Sequence, residues 1–421
     1  MPEFPAGFSL GPVVRADDFG ADRYGNNDSL SAITNAIAAV GANTYGGTVL
    51  FSDGVYATSA PIMGASQVVL TGTIPSTAAA ESGGSLFASG TVIQPMSGWA
   101  GGVLSNPAAI YMDGSGGTLY QCGVRNLWID GSNLPSGSAA VTLNGSVFHS
   151  KLLGVGVWNV PTDGIRGQVA GGGRPDGCTF SDSMVQSFGG FGVWWHGQDS
   201  QFHNVHVQGT QSGAANTGCW WFDNFNNGML SDCRADQGTY GFVFDSNPGG
   251  ATNVDSPGST IRMVNCGTEN TYHQALWLNN TNDPQMRTPV SAMNCSFDYA
   301  GRDMSSPAIM VTGYNLFNAY NCNVTSGGPG SNFYPAIGLK TQTGGGGGTP
   351  ALVNIDGGFW NVCTQTGSPP EGAGTFIQDS ANVAGTSGCI MRYRIYGSAS
   401  TNVIGGGSPT AIVSHISGTW P

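Results

Sequence analysis

Cys233-Arg234-Ala235-Asp236-Gln237-Gly238-Thr239-Tyr240-Gly241-Phe242-Val243-Phe244 is followed, after a spacer, by Cys266-Gly267-Thr268-Glu269-Asn270-Thr271-Tyr272-His273-Gln274-Ala275-Leu276-Trp277-Leu278. The second segment repeats the first: a short strand opened by cysteine, a polar turn, and a second, apolar strand. The pattern extends both ways. Further second strands are Gly192-Val193-Trp194-Trp195, Gly218-Cys219-Trp220-Trp221, Ala308-Ile309-Met310-Val311 and Ala336-Ile337-Gly338-Leu339, and further first strands are anchored on Val205, Cys295 and Cys322. The anchors Val205, Cys233, Cys266, Cys295 and Cys322 are spaced by 28, 33, 29 and 27 residues. Constant strand cores at irregular spacing are the mark of a solenoid with side loops of variable length.

Alternation along a strand assigns the faces. Cys233, Cys266, Cys295 and Cys322 are expected inside, one per turn, as a ladder of small apolar side chains. Val193, Cys219, Phe242, Leu276 and Ile309 are placed inside, as are Trp195, Trp221, Phe244, Leu278 and Val311. The middle residues Trp194, Trp220, Val243, Trp277 and Met310 are then placed outside. Tryptophan on a surface signals contact with something. A sugar ring, with its apolar C–H face, stacks on an indole. The alternative is a column covered by loops or by a trimer interface.

A second outward column holds Gln208, Asp236, Glu269 and Asp298, each three residues after its anchor. Carboxylates on successive turns lie ~4.8 Å apart. Like charges that close raise one another's pKa, as a general acid requires. Glycosidases pair two carboxyl groups, at roughly 5 Å when retaining and roughly 6.5–9.5 Å when inverting. Asp236/Glu269 fits the first spacing, and Asp236/Asp298 comes near the second. Asp236, Glu269 and Asp298 are therefore the candidate catalytic residues. Trp194, Trp220, Trp277, His206, Arg234 and Gln208 are the candidate substrate-binding residues. The competing reading makes the acids turn carboxylates bonded to nearby backbone N–H groups.

Near the amino end, Leu30, Ile33, Ile37 and Val40 share one face of a helix over 29–40, with Asp28 as N-cap and Gly41 as its stop. Gly46-Gly47-Thr48-Val49-Leu50-Phe51 and Val55-Tyr56-Ala57-Thr58 read as strands around an Asp53-Gly54 turn. With Asp18-Phe19-Gly20-Ala21-Asp22 and Asn27-Asp28-Ser29, this block resembles the start of the pectate-lyase-superfamily right-handed β-helix domain, found in phage tailspikes and polysaccharide depolymerases. The resemblance covers residues 14–62. It implies an all-β fold, a single-stranded right-handed parallel β-helix, with the short helix capping the open end of the coil. Asp18, Asp22 and Asp28 are then turn and cap residues. It also implies a parallel homotrimer in a virion tail or an extracellular setting.

Composition agrees. The chain has 421 residues, 68 of them glycine, and only 9% are charged, which suits short strands and frequent turns. Net charge is −12 with 13 Lys+Arg, so no basic surface for nucleic acid is expected, and no attraction to anionic membranes. The nine cysteines form no Cys-x-x-Cys pair. No cofactor or metal is implied. Arg166, Arg174, Arg234 and Arg262 are possible lyase bases, but no carboxylate cluster for calcium is evident. Pro161-Thr162-Asp163 and His196-Gly197 only partly echo polygalacturonase motifs. Asp163-Gly164 and Asp130-Gly131 read as turns.

The organisation expected is an amino-terminal extension (1–13), a cap with the first coils (14–116), central coils (117–350), and carboxyl coils with an end cap (351–421). Roughly ten rungs at ~4.8 Å each would make a rod about 50 Å long. The function expected is hydrolysis of a bacterial cell-envelope polysaccharide by a tailspike depolymerase. A non-catalytic receptor-binding spike and a polysaccharide lyase are the alternatives.

Overall fold

The computed structural model describes residues 11–73, 90–102, 104, 106–209, 217–245, 260–279, 289–300, 308–312, 316–326, 337–340, 352–358, 360–362, 377–379, 390–394, 404–405 and 412–415. The glycine run 344–348, Ala336, Cys363 and Cys389 lie outside them. The chain divides into two compact units, Met1–Gly189 and Gly190–Pro421.

In the second unit several described turns carry three short strands instead of the two read from sequence, and Gln201–Gln208 spans the first two as one strand. One turn runs Met229–Ser231, Arg234–Asp236 and Phe242–Asp245. The next runs Ile261–Val264, Gly267–Glu269 and Leu276–Asn279. We call these the first, second and third walls. Successive turns pair in parallel, as in Leu230↔Met263, Ala235↔Thr268 and Phe244↔Leu278, with a register shift between Asp298 and Ala300. The first wall escapes a sequence reading because only two residues separate it from the second, and the turn is made at the first of them.

That residue is left-handed. Asp232, Asn265, Asn294 and Asn321 have φ of 56°, 53°, 54° and 50°. Asparagine and aspartate tolerate this region because their short polar side chains bond locally. Here they bond along the stack: Asn265 Nδ2 donates to Asp232 Oδ1 at 3.2 Å, and Asn321 Nδ2 to Asn294 Oδ1 at 2.9 Å. The next residues are Cys233, Cys266, Cys295 and Cys322, all buried and free. They form the interior file expected from the repeat, with hydrogen bonding between the thiols of neighbouring turns.

The first unit is built on the same plan. Its first-wall strands Val68–Thr71, Gly123–Arg125 and Lys151–Leu153 pair in parallel. Its third wall includes Ala108–Tyr120, Ala139–Phe148 and Ile165–Gln168. The helix is Leu30–Gly41 and buries Ala32, Ile33, Ala36, Ile37 and Val40. Asp28 accepts the Leu30 N–H at 3.0 Å and also fastens Ser59. Asp22 gathers the N–H groups of Tyr24, Asn26 and Asn27 into a tight turn. Gly47 is needed under the helix, because a Cβ there would lie 2.9 Å from Val40 Cβ. The whole is a right-handed parallel β-helix with an amino-terminal helix.

Candidate functional site

The second wall of the second unit places the acids in one outward row. Gln208 pairs with Asp236 and Asp236 with Glu269. Asp298 follows, because Gly267 pairs with Ser296 and Thr268 with Phe297. Two residues back along each strand lies a second outward row, His206, Arg234 and Gly267. The two rows meet. His206 Nε2 lies 2.6 Å from Asp236 Oδ2. Arg234 Nη2 lies 3.8 Å from Asp236 Oδ1 and 3.5 Å from Glu269 Oε2.

Gly267 makes this reach easy. A Cβ there would sit 3.6 Å from Arg234 Cδ, so the guanidinium crosses an open position toward Glu269. The carboxylates are therefore not stacked bare, as the sequence suggested: one guanidinium bridges them. The Asp236 side chain is 14% exposed, whereas Arg234 and Glu269 are half exposed at 51% and 53%. Ion pairs that open to water contribute roughly 0–1 kcal/mol, so stability alone does not account for the cluster. Asp298 stands apart from it and accepts a hydrogen bond from Ser296 Oγ at 3.0 Å.

The aromatic row lies on the third wall, and here one sequence assignment is corrected. Val193 pairs with Trp220 and Trp194 with Trp221. Trp220 then pairs with Phe242, and Trp221 with Val243. Trp220 is thus an interior residue, fully buried, and not a substrate-binding one. Aligning the two Trp-Trp pairs on their glycines shifted the strand by one residue, which exchanges inside for outside. The interior has room for the indole because Cys233 and Ala235 on the opposing wall are small. Trp220 stacks on Phe222 at 5.8 Å and on Phe242 at 5.7 Å, and its Nε1 donates to the Arg234 carbonyl at 3.1 Å.

The outward row is Trp194, Trp221, Val243, Trp277 and Met310. Val243 is fully buried because Trp221 and Trp277 meet above it, edge to face at 6.2 Å. Tyr240 continues the patch, with its ring 5.5 Å from Trp277 and 5.1 Å from His273. Tyr240 and His273 each follow by three residues a left-handed corner, Gln237 or Asn270, that ends the acid-bearing strand. The aromatic patch and the carboxylate rows therefore border the same corner of the coil.

A third set was missed by the sequence reading. His196, Asp223, Asp245 and Asn279 stand two residues beyond Trp194, Trp221, Val243 and Trp277 on the same strands, hence on the same outer face. His196 Nδ1 lies 3.3 Å from Asp223 Oδ2, and Asn279 Nδ2 donates to Asp245 Oδ1 at 3.2 Å. His196 is 5% exposed and its Nε2 has no hydrogen-bond partner. The two-residue alternation marks this row in the sequence, where His196 stands out only as part of a partial polygalacturonase motif. Of the arginines considered as lyase bases, Arg166 is bound in a buried ion pair with Asp163 at 2.7 Å.

A three-walled parallel coil with an aromatic outer face and paired carboxyl groups defines a pectate-lyase-like β-helix. Residues 13–233 match the family described as rhamnogalacturonase A/epimerase, pectate lyase-like, and the chain belongs to that family. Among solved structures, the A-module of Azotobacter vinelandii mannuronan C-5 epimerase AlgE4 superposes with a TM-score of 0.65 at 17% identity, covering 96% of this chain and 100% of that one. The N-terminal fragment of bacteriophage phi29 gene product 12 gives 0.63 at 14% identity, covering 95% of this chain and 65% of that one. The GH87 α-1,3-glucanase catalytic unit from Streptomyces thermodiastaticus gives 0.54 at 14% identity, covering 99% and 70%. At such identities these likenesses concern the fold. No curated protein matches the sequence.

Proposed function

We propose that this protein is a polysaccharide depolymerase of the tailspike type that hydrolyses a bacterial cell-envelope glycan. Family membership and the polysaccharide-acting neighbours support a carbohydrate substrate. The observation that carries the hydrolytic reading is Arg234 lying within 4 Å of both Asp236 and Glu269. Two carboxyl groups on adjacent turns, ~4.8 Å apart, match the retaining arrangement. Asp236 is held in a fixed orientation by His206 and is the nucleophile. Glu269, half exposed beside Arg234, donates the proton to the leaving oxygen. Trp194, Trp221 and Trp277 hold sugar rings, with Gln208 and His206 at the rim. Asp298, two turns from Asp236, is the partner an inverting mechanism would use.

New reducing ends released from host envelope glycan test this reading. Asp236→Asn and Glu269→Gln should each lower kcat by about 10²–10⁴-fold. If both variants retain full activity, the assignment is wrong. Product that gains ultraviolet absorbance from a new double bond would mark a lyase, and binding without cleavage would mark a receptor-binding spike. Homotrimer formation in a virion tail belongs to the same proposal, and light scattering tests the trimer.

One observation favours a second reading of the catalytic pair. His196 and Asp223 sit on the same strands as Trp194 and Trp221, and His196 Nε2 is unpartnered. If His196→Asn abolishes cleavage while Asp236→Asn spares it, the acid and base belong to this row.

A further inference from the structure

We propose that the first unit carries a separate binding site for an anionic sugar, on the outer face of its first wall. A cavity of about 490 Å³ there is lined by Gln121, Gly123, Arg125, His149, Lys151 and Gly177, among others. The whole chain holds only 13 Lys+Arg against 25 Asp+Glu, yet two of those cations and a histidine line this one hollow, and no carboxylate does. Such a gathering in an acidic protein costs Coulomb repulsion and gains nothing without a negative guest.

The strands place the cations diagonally on the same outer face, two residues apart in register. Lys151 pairs with Gly123 and Leu153 with Arg125 on adjacent turns. Gly123 and Gly177 hold the hollow open. A Cβ on Gly123 would lie 2.9 Å from the Lys151 carbonyl, and one on Gly177, at φ 60°, would lie 2.5 Å from His149 Nδ1. The imidazole thus rests where only glycine lets it rest. Lysine and arginine supply donors for an oxyanion, with arginine able to grip two oxygens at once.

A second, independent feature makes the guest a sugar. Tyr120 and Phe148, the residues just before Gln121 and His149, stack at 5.5 Å with their planes 24° apart, and Tyr120 is 50% exposed. An open aromatic pair at the edge of a cationic hollow offers one surface to a pyranose face and the other to its charge. The guest class is a carboxylated or sulfated saccharide unit. The site lies within Met1–Gly189, apart from the cluster proposed for hydrolysis, and does not depend on that reading.

Calorimetric titration at low salt tests the proposal, because exposed charges are screened beyond about 10 Å at 0.1 M. The probes are glucuronate, glucose 6-sulfate, inorganic sulfate and glucose, added to full-length protein carrying Asp236→Asn. Glucuronate or glucose 6-sulfate should bind and glucose should not. Arg125→Gln combined with Lys151→Gln should weaken that binding at least tenfold. Arg15→Gln combined with Arg23→Gln, the same loss of two charges elsewhere on the surface, should leave it unchanged. Tyr120→Ala should weaken the sugar anions but not inorganic sulfate. Binding that survives the double substitution, or absence of binding by both sugar anions, would overturn the site. Inorganic sulfate binding as tightly as glucose 6-sulfate would overturn the saccharide guest.

Discussion

The third wall reads differently in the two units. In the first, the outward residues are Tyr111, Thr142 and Arg166 in one row and Asp113, Asn144 and Gln168 in the next, and all but Asp113 are buried. Thr142 apart, whose buried hydroxyl has no hydrogen-bond partner, they bond one another or their neighbours: Asn144 Nδ2 donates to Asp113, Gln168 Nε2 donates to Asn144, and Arg166 bonds Asp163 and the Gly137 carbonyl. In the second, the same outward positions hold Trp194, Trp221 and Trp277, each only partly buried. A polar row that is covered has spent its hydrogen bonds on its own neighbours. An aromatic row whose rings pack mainly on one another presents apolar surface in place of hydrogen-bonding groups. Pointing outward is thus not the same as being available, and the wall becomes a recognition surface only where nothing folds over it.

This contrast can be broken by experiment. The largest effect is expected from Arg166→Met, which strands the buried Asp163 carboxylate and should cost about 3–5 kcal/mol in denaturant unfolding. Trp220→Ala should cost about the same, 3–5 kcal/mol, by emptying the core. Trp221→Ala, one residue away, should cost under about 1.5 kcal/mol while weakening glycan binding. Equal losses for the two tryptophans would mean the face assignment is wrong. Trp277→Ala should weaken glycan binding about tenfold, or ~1.4 kcal/mol, with the midpoint of unfolding nearly unmoved.

The smallest effect concerns Asp113. Burial pushes its carboxyl up, but hydrogen bonds from the Ser115 side chain and N–H and from Asn144 outweigh burial and hold it below the usual aspartate range. A lowered folded pKa contributes stability above the unfolded value of about 3.9, and that contribution is lost as pH falls through the lower folded value. Asp113→Asn should therefore flatten the acid limb of a stability–pH curve below about pH 4. An unchanged limb would place the acid sensitivity elsewhere.

Much of this was legible in the sequence, for identifiable reasons. The cysteine file and the carboxylate row followed from strand period two and a recurrent anchor, because both depend only on register. The first wall was not legible, since Asp232, Asn265, Asn294 and Asn321 turn the chain without a glycine or proline to mark the place. Trp220 was misplaced because two similar dipeptides invite an alignment that the ladder does not follow. The bridging of Asp236 and Glu269 by Arg234 depends on side-chain direction across the vacancy at Gly267, which spacing does not encode. The covering of the first unit's outer rows depends on loop paths, to which a strand pattern is blind.

The interior thiols bear on where such a protein can work. Burial, with the thiol stacked on its neighbours, denies the file both solvent and base. Cys178 in the first unit is pushed up to about 12 by burial, and Cys295 to about 12, chiefly by the hydrogen bond it shares with Cys266. Nucleophilic sulfur is the thiolate, and a thiol raised this far holds little of it at neutral pH. Free cysteines ordinarily mark a protein for life under glutathione. The described thiols of this coil are buried, so an oxidant reaches them only when the turns around them come apart.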